Sequence, residues 1–466
     1  MQTSYIPASL AQAAPLLTEP ADTAHFLRDW TGQHQGAALA VALPKSTAEV
    51  QAIVKACLSE GIRIVPQGGN TSLAGGSVPG SDGPWIVLSL ARMNTIRRLD
   101  TAARTVTVES GTILQALQEQ LQPHGLTFAL SFGAKGSAMI GGCLSTNAGG
   151  SNVLRYGNTR ELCLSLEAVL PDGTMIDTGA GLRKDNTGYD LRHLLIGAEG
   201  TLGIITAATL RLHAIPKVRA TAFLSVPDLH AALAVLNAMQ DETAGAVEMF
   251  EYMPAHATEL VMRHFPDLRC PLDDVPDCGI LMEVASTSSY DAAAGEDGVP
   301  RLSGRVEAVL ERLFEDGLIL DAALAQSDAQ REAMIALREH VLESLMAEGR
   351  WQQYDISLPL AQVADFLDQL RGVLPDNVRS HVIGHLGDGN LHLSLMPGTQ
   401  DTTALSERIY DLVLKLSGSF SAEHGIGRSK AGLLAARKDP GTLAAMRAIK
   451  VALDPTGLMN PGAMLT

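Results

Sequence analysis

The sequence predicts a mixed α/β chain with more than one domain. Three observations carry this: a length of 466 residues, a hydrophobic share of 46%, and alternating helix-like and strand-like patterns that run to about Leu212. At roughly 100–200 residues per domain, the length predicts two to four domains, or one large α/β unit with a smaller one. A chain of this size buries a sizeable core, which rules out disorder.

Ser46-Thr47-Ala48-Glu49 reads as a capping box that opens a helix. Behind it Val50, Ile53, Val54, Cys57 and Leu58 fall on one helical face, and Gly61 ends the helix. Ile62–Val65 reads as a buried strand that runs into a glycine-rich loop. Trp85–Leu90 and Thr105–Glu109 read as further strands, with a helix near Thr112–Leu121. A boundary falls at Ala214-Ile215-Pro216-Lys217. After it come a strand at Ala220–Val226, a helix from Pro227 to about Met239, and a strand at Gly279–Ala285. Thr287–Pro300 is small, polar and acidic, and reads as a surface loop. Helical patterns fill Arg305–Glu348; strand-like segments near His381 and Leu391 follow, and a helical region closes the chain.

With 35 Lys+Arg against 51 Asp+Glu, the net charge is −16. That excludes nucleic acid or an anionic membrane as the main partner, because both need clustered cations. Cys57, Cys143, Cys163, Cys270 and Cys278 are scattered, odd in number and without a CxxC. They suit small core positions in a reducing cytosol better than a disulfide framework. No apolar run approaches the roughly 18 residues of a membrane span. Met1–Pro20 lacks the basic start of a secretory signal. The expected location is cytoplasmic, with peripheral attachment at the inner membrane through an electron acceptor as an option.

Glycine is unevenly placed. Five of the 44 glycines fall in the 15 residues Pro66–Gly80, and seven in the 27 residues Ser131–Gly157. Glycines beside Ser, Thr and Asn let backbone N–H groups approach an anion and form a nest. Neither window holds the GxGxxG dinucleotide fingerprint or the GxxxxGK[ST] P-loop, and neither motif occurs elsewhere. A nicotinamide Rossmann enzyme and a P-loop NTPase are therefore unsupported.

The first loop resembles the pyrophosphate-binding loop of the vanillyl-alcohol-oxidase-type FAD flavoproteins, which carry the PCMH-type FAD-binding domain. Gly133-Ala134-Lys135-Gly136-Ser137, Gly141-Gly142 and Thr146–Gly150 resemble their second flavin segment. Arg155-Tyr156-Gly157, Asp185–Asp190 and Gly197-Ala198-Glu199-Gly200-Thr201-Leu202-Gly203 continue the pattern in order. The match covers Ala38–Thr466. It implies an α+β chain: a two-subdomain FAD-binding domain over 1–215, an α+β substrate-cap domain over 216–415 carrying the metal hairpin, and a helical C-terminal segment over 416–466 that returns to the flavin site. It also implies FAD contacts at Pro66, Gly68, Gly69, Asn70, Thr71, Ser72, Gly133, Gly136, Ser137, Gly141, Gly142, Asn147, Gly150, Glu199, Ile204 and Asn460. The second window contains no His, and Cys143 stands where close relatives tend to have Asn. Non-covalent FAD is the expectation, with Cys143 a packing residue.

His385-Leu386-Gly387-Asp388-Gly389-Asn390-Leu391-His392 is symmetric about Asp388-Gly389, and Asp-Gly-Asn is hairpin chemistry. Folding there puts His385 and His392 on neighbouring strands, where paired Cβ atoms lie about 5 Å apart. That suits two imidazoles on one divalent metal. Ala422-Glu423-His424-Gly425 offers Glu423 as a third ligand. Two His and one carboxylate with open positions describe a catalytic metal site. Imidazole plus carboxylate favours Zn²⁺, with Mn²⁺ or Fe²⁺ also compatible.

These motifs narrow the resemblance to the FAD-dependent D-2-hydroxyacid dehydrogenases, which include D-2-hydroxyglutarate and D-lactate dehydrogenases. The resemblance implies His385, His392 and Glu423 as metal ligands, His424 as general base and Arg338 as the carboxylate-binding residue. Asn390 is expected at the substrate or in support of the hairpin. The implied reaction takes a D-2-hydroxy acid to its 2-oxo acid, with the C2 hydride passing to flavin N5. A quinone or an electron-transfer flavoprotein would then accept the electrons, and a homodimer is the candidate assembly. The alternatives are a flavin oxidase using O₂ and a flavin-binding subunit of a multi-subunit glycolate/lactate-type oxidase complex. Three positions depart from the hydroxyglutarate pattern: Gln353 stands for Lys, Leu342 for Thr and Ser394 for Asn. A second carboxylate would have fewer partners, which weakens the hydroxyglutarate reading and makes an apolar or neutral tail competitive unless a neighbour such as Arg350 compensates.

Overall fold

The computed structural model describes residues 6–296, 298–349, 351–396 and 402–465. Arg350 and the first five residues of the chain, both considered above, lie outside the described residues. The chain forms two compact units. One comprises Met1–Gly149, Asn158–Ala214 and Glu423–Thr466, and the other Gly150–Gly157 and Ile215–Ala422.

The first unit holds two main sheets. In one, the parallel strands Ala40–Ala42, Trp85–Ser89 and Arg63–Gln67 lie in that order, and Leu16–Leu17 adds an antiparallel edge. Trp85–Ser89 is buried throughout, as expected of a central parallel strand covered on both faces. The helix Thr47–Glu60 covers one face. Ser46 Oγ accepts from the Glu49 N–H, and Glu49 reaches back to the Lys45 N–H. Its Val50, Ile53, Val54 and Cys57 pack on Ala40, Ile64 and Ile86, and Gly61 closes it with φ +64°. The second sheet is antiparallel, in the order Ile96–Asp100, Thr105–Glu109, Ile204–Arg211, Cys163–Val169, Met175–Asp177.

The second unit is built on a seven-stranded antiparallel sheet. Its order is Asp321–Leu324, Val218–Ser225, Gly279–Ser286, Val247–Tyr252, Arg379–His385, Asn390–Met396, Gln352–Ser357. Helices Leu229–Glu242, Arg301–Glu315, Val363–Val373 and Thr403–Lys415 bury apolar residues with one sheet face. Helices Ala255–His264, Asp328–Glu339 and Val341–Ala347 do so with the other, where Phe223, Met249, Leu281 and Ile383 lie.

Three readings need correction. The helical span expected over Arg305–Glu348 is broken: Gly317 (φ +72°) follows the first helix, and Asp321–Leu324 pairs at the sheet edge. The loop Thr287–Pro300 carries a short helix, Ser289–Ala292, capped by Ser288. Strands Val247–Tyr252 and Gln352–Ser357 were not anticipated, and both prove central to the site below. Among the described residues the five cysteines are free thiols, and no helix is long and apolar enough to cross a membrane.

Candidate active site

In the first unit the two glycine windows meet backbone to backbone. A Cβ on Gly69 would fall 2.0 Å from the Ser137 carbonyl oxygen, and one on Gly141 would fall 2.6 Å from Ser110 Cβ. Only glycine permits those approaches. By contrast, Cβ positions at Gly133 and Gly142 face open space, with no atom within 4 Å. Loops that pack on one side and leave bare backbone on the other fit a ligand lying along the main chain, as FAD would. Gly69→Ala is therefore expected to lower FAD affinity at least about fivefold, because overpacking of about 1–3 kcal/mol falls on the loop contact. Wild-type flavin absorbance per protein in that variant would count against the loop's role.

The polar residues expected at the flavin fix these loops. Asn70 (φ +53°) donates its amide to the His25 and Arg28 carbonyls and accepts from Ser77 Oγ at 2.7 Å. Asn147 (φ +51°) accepts from the Arg160 N–H at 3.0 Å. Glu199 (φ +51°) accepts from the Ile426 and Gly427 N–H groups, each at 2.7 Å. Burial raises its pKa against those two donors. Asn460 (φ +43°) donates to the Gly76 and Glu199 carbonyls, and Arg428 donates to its Oδ1. The last segment thus docks on the first loop, and Asn460 N–H also bonds the Ile64 carbonyl of the preceding strand. Four of the eight non-glycine residues with positive φ among the described residues are these four. Such strain concentrates at functional sites.

Pro66, inside the strand Arg63–Gln67, lies against Gly200, Ser72 Oγ accepts from the Ala74 N–H, and Ile204 opens a buried strand beside Val169. Thr71 lies between them in the loop, and Gly136 approaches Gln115. Gly150 belongs to the second unit in the chain division, unlike the other expected flavin residues. Cys143 is buried, which pushes its thiol up to about 12 and keeps it neutral.

The second unit carries the histidines. The hairpin is present with a different register: His385 pairs with Asn390 and Ile383 with His392, so the turn spans four residues and the histidines sit diagonally. They share a face, with ring centroids 5.2 Å apart and planes at 87°. Across the next strand on each side stands a buried carboxylate. Glu251 is in register with His385, and its Oε1 lies 2.6 Å from His385 Nδ1. Asp355 is in register with His392, and its Oδ1 lies 3.6 Å from His392 Nδ1. Four adjacent strands therefore present carboxylate, imidazole, imidazole, carboxylate in a row. The carboxylate bonded to His385 Nδ1 fixes that ring and raises the basicity of its Nε2, an outer-shell arrangement common at metal-binding histidines, whereas Asp355 stands beyond hydrogen-bond distance of His392 Nδ1. The donor set fits a divalent cation.

Arg338, on the helix Asp328–Glu339, donates its Nε to Glu251 Oε2 at 2.8 Å. A guanidinium held through Nε keeps its terminal amines for a bidentate grip on a carboxylate. Glu251 is 1% exposed; burial pushes its carboxyl up, but His385 and Arg338 together hold it at about 2. Asn390 is committed to the hairpin: its amide donates to Asp355 Oδ1 and the Ile356 carbonyl, at 3.0 and 2.9 Å. Ala422 N–H donates to Asp355 Oδ2 at 3.1 Å, and Glu423 and His424, both half-buried, follow it directly in the chain. One rung further along the sheet, Gln353 pairs with Ser394 and Ser394 with His381. Burial and the nearby Arg379 push His381 down, and burial takes His256, whose ring meets it edge-on, to about 4. That rung is uncharged. Leu342, partly buried, opens the helix Val341–Ala347.

Glu251 and Asp355 escaped the sequence reading as members of the row. The available signal was two acids, Glu248 and Glu251, inside the otherwise apolar run Val247–Tyr252, since buried acids are rare unless paired.

The comparisons agree with this architecture. Residues 38–179 match the family "FAD binding domain", and 215–464 match "FAD linked oxidases, C-terminal domain". Over 465 residues the chain is 36% identical to the mitochondrial D-2-hydroxyglutarate dehydrogenase of Bos taurus, covering 98% of this chain and 83% of that one. The chain belongs to the FAD-dependent D-2-hydroxyacid dehydrogenases. The D-2-hydroxyglutarate dehydrogenase of Xanthomonas citri pv. viticola is 36% identical to this dehydrogenase over 97% of its chain and 95% of the relative. A Schizosaccharomyces pombe relative, provisionally named a D-lactate dehydrogenase, is 35% identical over 97% and 86%. Among solved structures, p-cresol methylhydroxylase with substrate bound aligns with TM-score 0.76 at 16% identity, covering 98% and 95%. Alkyldihydroxyacetonephosphate synthase aligns with TM-score 0.72 at 17% identity, covering 98% and 83%. The dehydrogenase thus has the PCMH-type FAD-binding fold, α+β with a second domain, and oxidises a hydroxy acid with FAD.

Proposed function

We propose that this dehydrogenase oxidises a D-2-hydroxy acid with a neutral or apolar tail to the 2-oxo acid, using a divalent metal held by His385, His392 and Glu423. The observation that carries the metal is the row Glu251–His385–His392–Asp355, two imidazoles on one face, the first bonded to a buried carboxylate at 2.6 Å and the second 3.6 Å from another. When bound, FAD supplies a two-electron acceptor and the metal a Lewis acid for the 2-hydroxyl. Arg338 pairs with the substrate's 1-carboxylate through its terminal amines and fixes the orientation of C2. An imidazole nitrogen of His424 takes the hydroxyl proton, a role for which imidazole is suited near neutral pH. Asn390 holds Asp355, and through it the hairpin, instead of reaching the substrate. The imidazole–carboxylate set supports Zn²⁺ ahead of Mn²⁺ or Fe²⁺. The buried Cys143 supports non-covalent FAD. Free thiols support a reducing compartment, and several relatives are named as mitochondrial. A quinone or an electron-transfer protein is the proposed acceptor, and a homodimer the proposed assembly.

The tail assignment rests on Gln353 and Ser394, two uncharged side chains on the rung beside His392 and Asp355. A free carboxylate against those two side chains would lose hydration and gain only neutral partners from them. Anaerobic flavin bleaching across D- and L-2-hydroxy acids tests this. D-lactate or D-2-hydroxybutyrate should exceed D-2-hydroxyglutarate at least tenfold in kcat/KM, with L-enantiomers inert. Fastest bleaching by D-2-hydroxyglutarate would refute the tail assignment, and a preparation unbleached by any D-acid would refute the whole reading.

A further inference from the structure

We infer that Glu251 is a positioning residue that couples the metal ligand His385 to the substrate-binding Arg338, so that each affects the other's ligand. This rests on the reading just proposed and deepens it. One carboxylate, 1% exposed, uses both oxygens: Oε1 on His385 Nδ1 at 2.6 Å and Oε2 on Arg338 Nε at 2.8 Å. Neither partner can turn without moving the carboxylate that orients the other.

The backbone explains why this side chain is placed to do so. Glu251 and His385 are directly opposed on adjacent strands, and this contact is part of a short pairing of only Glu251 with His385 and Tyr252 with Gly384. The join between the two strand groups of the sheet therefore runs through the site. Arg338 comes from a helix whose Met334 and Leu337 are locked in the apolar cluster with Met249, Leu281 and Ile383, so its stem is fixed as well. A general sheet-stabilising role is already filled nearby: Glu283 pairs with Arg219 and Arg331 and accepts from Thr221, without touching either histidine of the hairpin. Glu251 differs in joining a cation aimed at an anionic ligand to an imidazole aimed at a metal.

The coupling makes a prediction that a metal-ligand map does not. Arg338→Met, which removes no ligand, should weaken metal binding, and added metal should not restore substrate affinity to Glu251→Gln. The test uses purified flavoprotein variants, with zinc affinity measured by chelator competition and KM and kcat measured separately at saturating zinc. Glu251→Gln is expected to lower zinc affinity ten- to a hundredfold, as loss of an outer-shell carboxylate does. At saturating zinc it should still show a KM raised at least fivefold, with kcat changed less. Arg338→Met should lower zinc affinity at least threefold. The double variant should fall short of the product of the two single effects, because one shared carboxylate carries both. Glu283→Gln serves as the control for general loosening and should keep zinc affinity within about twofold. If Glu251→Gln does not retain flavin, Arg338→Met decides alone. Zinc affinity unchanged in Arg338→Met, or lowered equally in Glu283→Gln, overturns the coupling. A wild-type protein that binds no divalent metal overturns the metal reading itself, a separate and recognisable result.

Discussion

His424→Ala is expected to leave FAD bound and to slow flavin bleaching by substrate about 10²–10⁴-fold, the usual contribution of a positioned general base. The residue is half-buried and follows Glu423 in a stretch anchored on both sides. Before it, Ala422 N–H is held by Asp355, and after it Ile426 and Gly427 N–H groups are held by Glu199. Truncation at position 424 touches none of those anchors, so stability and flavin content should change little. Stopped-flow absorbance under anaerobic conditions measures the effect directly. Bleaching at the wild-type rate would remove His424 from the reaction, and loss of flavin would show a structural role instead.

The second large effect is expected at His392. Replacing it with Ala removes one of two imidazoles from the donor set and leaves Asp355, 2% exposed, without the imidazole in register with it. Metal content should fall below one tenth of wild type, with turnover at the level of chelator-treated wild-type protein. Unfolding should also come earlier, because truncating a side chain that is 8% exposed leaves a void at a buried position, a large-to-small change that costs roughly 2–5 kcal/mol. Elemental analysis and a melting curve check the two halves separately. Chelator treatment of the wild type, followed by Zn²⁺ or Mn²⁺, should restore turnover. Activity that survives full chelation would exclude the metal from the mechanism.

Local features were legible in the sequence to the extent that their physics is local. The helix Thr47–Glu60 was readable because its cap, its apolar face and its Gly61 stop all lie within sixteen residues of chain. The glycine windows were readable because close backbone approach requires glycine itself, as at Gly69 against Ser137. The hairpin was readable as a turn, but its register was not. Asp-Gly chemistry marks where the chain reverses, while the pairing of Ile383 with His392 depends on which residues the sheet buries. The partners of the histidines were hidden for the same reason. Glu251 lies 134 residues from His385, and Arg338 lies 87 from Glu251. Nothing near either position shows that those strands become neighbours. The strand Asp321–Leu324 was missed because a short edge strand between helices leaves little periodic signal.

The chain order of the two units also has a temporal meaning. The first unit is assembled from three separate stretches, and its C-terminal part supplies Asn460 and the Glu199-bound amides. The second unit is almost continuous from Ile215 to Ala422. On a ribosome, the nucleotide-binding half therefore emerges first and is completed last. Roughly 200 residues intervene, which at 5–20 residues per second is a delay on the order of 10–40 s. During that interval the glycine loops lack the segment that closes them. The FAD-binding unit is then completed only once residues 423–466 have emerged, after the second unit has had time to fold.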